Sequence, residues 1–71
     1  FDLIVANILA RIHMALATDY GTALRLNGIL ITAGFTTEFE AEIQDAFTAS
    51  GLQLIEAVRW NEWLALAHRH S

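Results

Sequence analysis

Cysteine, proline and lysine are all missing from this chain, and each absence closes a set of possibilities. Without cysteine there is no disulfide framework and no thiolate metal centre. Without lysine the only basic side chains are Arg11, Arg25, Arg59 and Arg69, set against eight acidic residues for a formal charge of -4. That balance argues against a direct nucleic-acid surface, which needs clustered basic residues. Without proline, four glycines are the only strong punctuation. Long hydrophobic runs are missing too. Asn7, Arg11, Asp19 and Arg25 interrupt the first half, and Glu56, Arg59 and Glu62 the second, so no stretch reaches the length of a membrane span. Nothing resembles the glycine-rich strand-to-helix loop that cradles a nucleotide cofactor.

What is there is apolar: 55% of the 71 residues are hydrophobic and 17% charged, a richer balance than an average globular domain. A chain this short buries a limited share of its surface. The expectation is therefore that residues 1–71 form part of a larger doubly wound domain whose other part supplies cover. The run from Phe1, already strand-like, fits the same expectation.

Residues 2 to 6 read as a buried parallel strand. Leu9, Ile12, Leu16, Tyr20, Ala23 and Leu24 then recur at helical spacing, with Gly21 a possible break. Asn27-Gly28 marks a turn, and Ile29 to Ala33 is a second continuous apolar run, completing a βαβ unit. Thr37-x-x-Glu40 is spaced as a capping box ahead of a stripe of Phe39, Ile43, Ala46 and Phe47. Gly51 closes that helix. Leu52, Leu54, Val58 and Trp60 then face Trp63 to His68 across Asn61-Glu62 as an antiparallel hairpin. The fold class is α/β, in the order β-α-β-α-β-β.

Asn7 ends the first strand, where open α/β sheets bind their ligands. Its amide carries both a donor and an acceptor, which suits alignment of an amine for methylation. The motif Asn7-Ile8-Leu9-Ala10 stands where many amino-methyltransferases carry Asn/Asp-Pro-Pro-Tyr. Together with Asn27-Gly28-Ile29-Leu30-Ile31 and Glu62-Trp63, it resembles the bacterial methyltransferase family of ribosomal protein L-eleven over the whole chain. The resemblance implies the second half of a Rossmann-like class I methyltransferase sheet, with the last strand inserted antiparallel beside its predecessor. It implies S-adenosylmethionine as cofactor, bound mainly by residues outside this chain, and a ribosomal protein as substrate, methylated on lysine or N-terminal amines. A cytoplasmic location is the matching expectation, as is an isolated 71-residue piece without activity of its own.

By the same resemblance Asn7 contacts the cofactor or the amine at the transfer site. Ile8 and Leu9 contribute backbone carbonyls and a wall. Gly34 would let substrate approach the backbone, and Phe35 would wall a lysine channel. Each has a plainer reading: Asn7 as a helix cap, Gly34 as a loop glycine, Phe35 as core. The missing Pro-Pro-Tyr platform leaves the amine's setting less defined. His68-x-His70 has the spacing of two metal ligands on one strand face but no third, so a solvated tail is expected and no metal. His13, without a partner four residues on, reads as a surface or boundary residue. Glu38, Glu40, Glu42 and Asp45 suit the start of a helix. Trp60 and Trp63 are expected to pack at the hairpin unless both are exposed, in which case they mark a partner surface. Two other classes remain open: half of another Rossmann-like nucleotide-binding enzyme, such as a dehydrogenase, and a noncatalytic module that pairs, or self-associates, through an open strand edge.

Overall fold

The computed structural model describes residues 1–71, in the order β1 (Leu3–Asn7), α1 (Ala10–Ala23), β2 (Ile29–Thr36), a 3₁₀ turn (Thr37–Phe39), α2 (Glu40–Ala49), β3 (Leu52–Trp60) and β4 (Trp63–His70). The strands form one sheet in the order β1-β2-β4-β3. β1 and β2 are parallel; β4 runs antiparallel to both of its neighbours. The expected α/β order and the inserted last strand are both present.

Alternation along the strands sorts the residues into two faces. Ile4, Leu30, Thr32, Leu64, Leu66 and His68 lie on the face that both helices cover, and the core forms there with Ala17, Tyr20, Ile43 and Phe47. Phe47 sits at its centre, edge-on to His68 at 4.9 Å and to Tyr20 at 5.9 Å between ring centroids. Truncating so buried a ring costs about 3–5 kcal/mol. The opposite face carries Leu3, Val5, Ile31 and Val58, all exposed. It is an apolar sheet surface with no layer over it.

Four expectations need correction. The buried stripe of α1 is Ala10, His13, Ala17 and Tyr20, one position on from Leu9, Ile12 and Leu16: this is the face packed into the core, and Leu9 and Ile12 are left exposed. Gly21 does not break the helix, which runs to Ala23. A Cβ at Gly21 would stand 2.6 Å from the Ser50 carbonyl oxygen, so this glycine is where α1 closes on the turn after α2. Thr37 caps nothing. It begins the 3₁₀ turn, and α2 starts at Glu40 without a side-chain cap. His68 is no solvated tail: it is fully buried on β4, with Nε2 2.8 Å from Gln44 Oε1, while His70 Nδ1 lies 3.0 Å from the Leu24 carbonyl.

Candidate active site

Asn7 is the last residue of β1 and pairs with Ala33 on β2. Its side chain is exposed on the uncovered face and takes part in none of the side-chain hydrogen bonds of the chain. Both halves of the amide are therefore free for a ligand. Asn7, Ala33 and Gly34 form one end of a groove of about 400 Å³, whose apolar walls are Val58, Trp60, Trp63, Leu64 and Ala65. Neither Trp is packed away: Trp60 is 75% and Trp63 52% exposed. The expectation that the pair packs away at the hairpin is therefore not met.

The groove exists because β2 is irregular at this point. Thr32 faces Leu66 and Phe35 faces Leu64, so one residue too many lies on β2 across from Ala65. This bulge centres on Ala33-Gly34, with Gly34 at φ +91°, a region that only glycine enters cheaply. A Cβ there would come 2.6 Å from Asn7 Oδ1 and 2.7 Å from the Ile8 carbonyl oxygen. Gly34 thus lets β2 pass directly against the Asn7-Ile8 corner.

The bulge also decides Phe35. Strict alternation would put it beside Ile31 and Ala33 on the groove face; the extra residue flips it inward, 2% exposed and edge-on to His13 at 5.3 Å. Its ring serves the core, and the reading of Phe35 as a channel wall is corrected on that ground. Leu9 departs as well. It precedes α1 and opens onto a separate recess with Ala10, Arg11 and Phe39. Ile8 stays at the corner, half-buried, its N–H donating 3.2 Å to the Ala33 carbonyl. Asn7, Ile8 and Gly34 are brought together; Leu9 and Phe35 are not part of the group.

One residue near the group corrects its expectation as a surface or boundary residue. His13 is fully buried in α1, with Nε2 2.8 Å from the Ala33 carbonyl oxygen and Nδ1 3.2 Å from Tyr20 Oη. Burial holds its pKa below the ordinary 6.5, against hydrogen bonding at Ala33 and Ile8 that pulls the other way. Burial alone takes His68 down to about 4 and raises Tyr20. His13 was legible only as an imidazole in register with Ala10, Ala17 and Tyr20, at the same spacing as the true buried stripe.

The family model for "Ribosomal protein L11 methyltransferase (PrmA)" matches residues 1–71. Among curated relatives, a ribosomal protein L11 methyltransferase of Herpetosiphon aurantiacus is 46% identical over 69 residues, 97% of this chain and 22% of the relative. That of Chloroflexus aurantiacus is 49% identical over 69 residues, again 97% of this chain and 21% of the relative. A crystal structure of ribosomal protein L11 methylase from Lactobacillus delbrueckii subsp. bulgaricus superposes with a TM-score of 0.94 at 32% identity, covering 100% of this chain and 37% of that one. The chain spans about a fifth of the length of the curated relatives it matches.

Proposed function

This chain belongs to the ribosomal protein L11 methyltransferase family, and on that premise we propose that it is the amine-binding part of an S-adenosylmethionine-dependent protein methyltransferase acting on lysine or N-terminal amines of a ribosomal protein. The observation that carries the reading is the exposed, unengaged Asn7 amide at the carboxyl end of β1, set against the side-chain-free backbone of Gly34.

The groove suits the transfer end of such a reaction and not the whole cofactor. Its eight lining residues include no acidic or basic side chain to hold a ribose or an amino-acid head group. When bound, S-adenosylmethionine supplies an electrophilic sulfonium methyl. Asn7 Oδ1 accepts an N–H of the incoming amine and directs its lone pair, and the Ile8 carbonyl beside Gly34 offers a second acceptor at the same corner. Val58, Trp60, Leu64 and Ala65 give the amine an apolar wall, and an apolar setting favours the neutral, nucleophilic amine over the ammonium form. Alignment and desolvation are the work asked of these residues. A location in the cytoplasm fits this substrate, and no helix here is long and apolar enough to cross a membrane.

The test is methyl transfer to the ribosomal protein by the full-length enzyme carrying this chain, followed by mass spectrometry, in the wild type and in Asn7→Ala. The substitution should lower kcat at least roughly tenfold, about 1.4 kcal/mol of transition-state stabilisation, with thermal stability unchanged. Wild-type turnover by Asn7→Ala would remove Asn7 from the mechanism, and no transfer by the wild type would remove the function.

A further inference from the structure

We propose that His13 is a positioning residue for the transfer site: through the Ala33 carbonyl it holds the Asn7-Ile8 corner in the geometry that the amine requires. The inference rests on the methyltransferase reading above and extends it to a residue in α1 that touches no groove surface.

Three contacts meet at the end of β1. Asn7 and Ala33 are the last pair of the β1–β2 ladder. Immediately beyond, the Ala33 carbonyl accepts two hydrogen bonds, from the Ile8 N–H at 3.2 Å and from His13 Nε2 at 2.8 Å. Gly34 follows in a left-handed conformation that lets it lie against Asn7 Oδ1 and both backbone polar atoms of Ile8. The orientation of one peptide, Ala33–Gly34, therefore sets the place of the Asn7 side chain. A bulged peptide has fewer ladder bonds to hold it than a regular one. The shorter of its two bonds comes from His13.

The imidazole is itself held. Because the Ala33 oxygen can only accept, Nε2 carries the hydrogen, and Nδ1 accepts from the Tyr20 hydroxyl. Phe35 and Phe47 close edge-on around the ring at 5.3 and 6.5 Å. No charged side chain is among these partners, and burial keeps the ring neutral. An imidazole in that tautomer, sealed in aromatic surroundings, is a donor of fixed direction. A site must hold its groups within about 0.5 Å to work well, and a displacement of about 1 Å can cost a hundredfold in rate.

The experiment uses the full-length enzyme and three variants. His13→Leu fills the space without a donor. His13→Asn keeps a short amide that does not reach Ala33, and His13→Gln places an amide N–H where Nε2 stands. His13→Leu and His13→Asn should lose about tenfold or more in kcat with the KM for S-adenosylmethionine little changed, and His13→Gln should recover most of the loss. A merely structural role would instead track thermal stability and show no rescue by Gln. Equal kcat in all four proteins would overturn the proposal. Should the variants fail to fold, nitrogen-15 NMR of the wild-type ring decides: the neutral Nε2–H tautomer is expected, and an Nδ1–H tautomer would put a lone pair against the Ala33 oxygen and end the argument. Absence of any methyl transfer by the wild type would count against the function itself; transfer with an indifferent His13 counts only against the positioning role.

Discussion

At the scale of residues, buried imidazoles make this chain sensitive to acid. His68 is fully buried with Nε2 bonded to Gln44 and Nδ1 without a protein partner, and its folded pKa is about 4. Unfolded, it would take up a proton below about pH 6.5. Stability is thus complete above pH 6.5 and falls as the pH drops towards 4, because only the unfolded state gains the proton. The gap corresponds to a loss of up to about 3 kcal/mol from His68 alone. His13, lowered in the same direction, adds to it. Denaturant titrations at pH 7 and pH 5 should show the lower value at pH 5, and His68→Leu should flatten the difference. Equal stability at both pH values would mean that the ring is not buried as described. His68 was misread from sequence because a strand near a terminus looks solvated; its neighbours Leu64 and Leu66 on the same face carried the better signal.

At the scale of elements, what was legible and what was not have different physical origins. The six elements and the antiparallel last strand follow from apolar periodicity and turn residues: Asn27 and Asn61 both adopt positive φ, as does Gly51 after α2. Those signals are local and survive folding. The bulge at Ala33-Gly34 is not local, since it depends on how β4 docks, and it alone reverses Phe35. The phase of α1 was off by one residue for a related reason: Leu9 and Ile12 are as apolar as the residues that are buried, and packing against the sheet chose between them. Thr37-x-x-Glu40 had the right spacing but not the backbone, which tightens to a 3₁₀ turn.

Gly21 gives the element scale its test. Alanine in place of a helical glycine gains about 1 kcal/mol of propensity. Here the new Cβ would meet the Ser50 carbonyl oxygen at 2.6 Å, a backbone atom that cannot move without displacing the start of β3, and overpacking costs about 1–3 kcal/mol. The clash should win. Gly21→Ala is expected to lower the melting temperature, and a rise would show that α1 and the turn after α2 can separate at little cost.

At the scale of the whole molecule, the uncovered face and the open edge act together. β1 has β2 on one side only, and Leu3 and Val5 are exposed beside its unpaired backbone groups. Such an edge pairs readily with another. The isolated 71-residue chain should self-associate with rising concentration, and Val5→Lys should reduce the effect. Sedimentation velocity measures it; a compact monomer at all concentrations would refute the expectation.

The position of β4 has a consequence for the order in which the protein is made. It is the last of these elements to leave the ribosome, yet it lies between β2 and β3 and contributes Leu64, Leu66 and His68 to the core. Until it arrives, β3 has no neighbour in the sheet and the face beneath α2 is open. The hairpin must therefore form and enter as the closing step in the assembly of this sheet. Chains stopped before Trp63 should lack cooperative unfolding, and chains stopped after His70 should regain it, which stalled nascent chains probed by limited proteolysis would reveal.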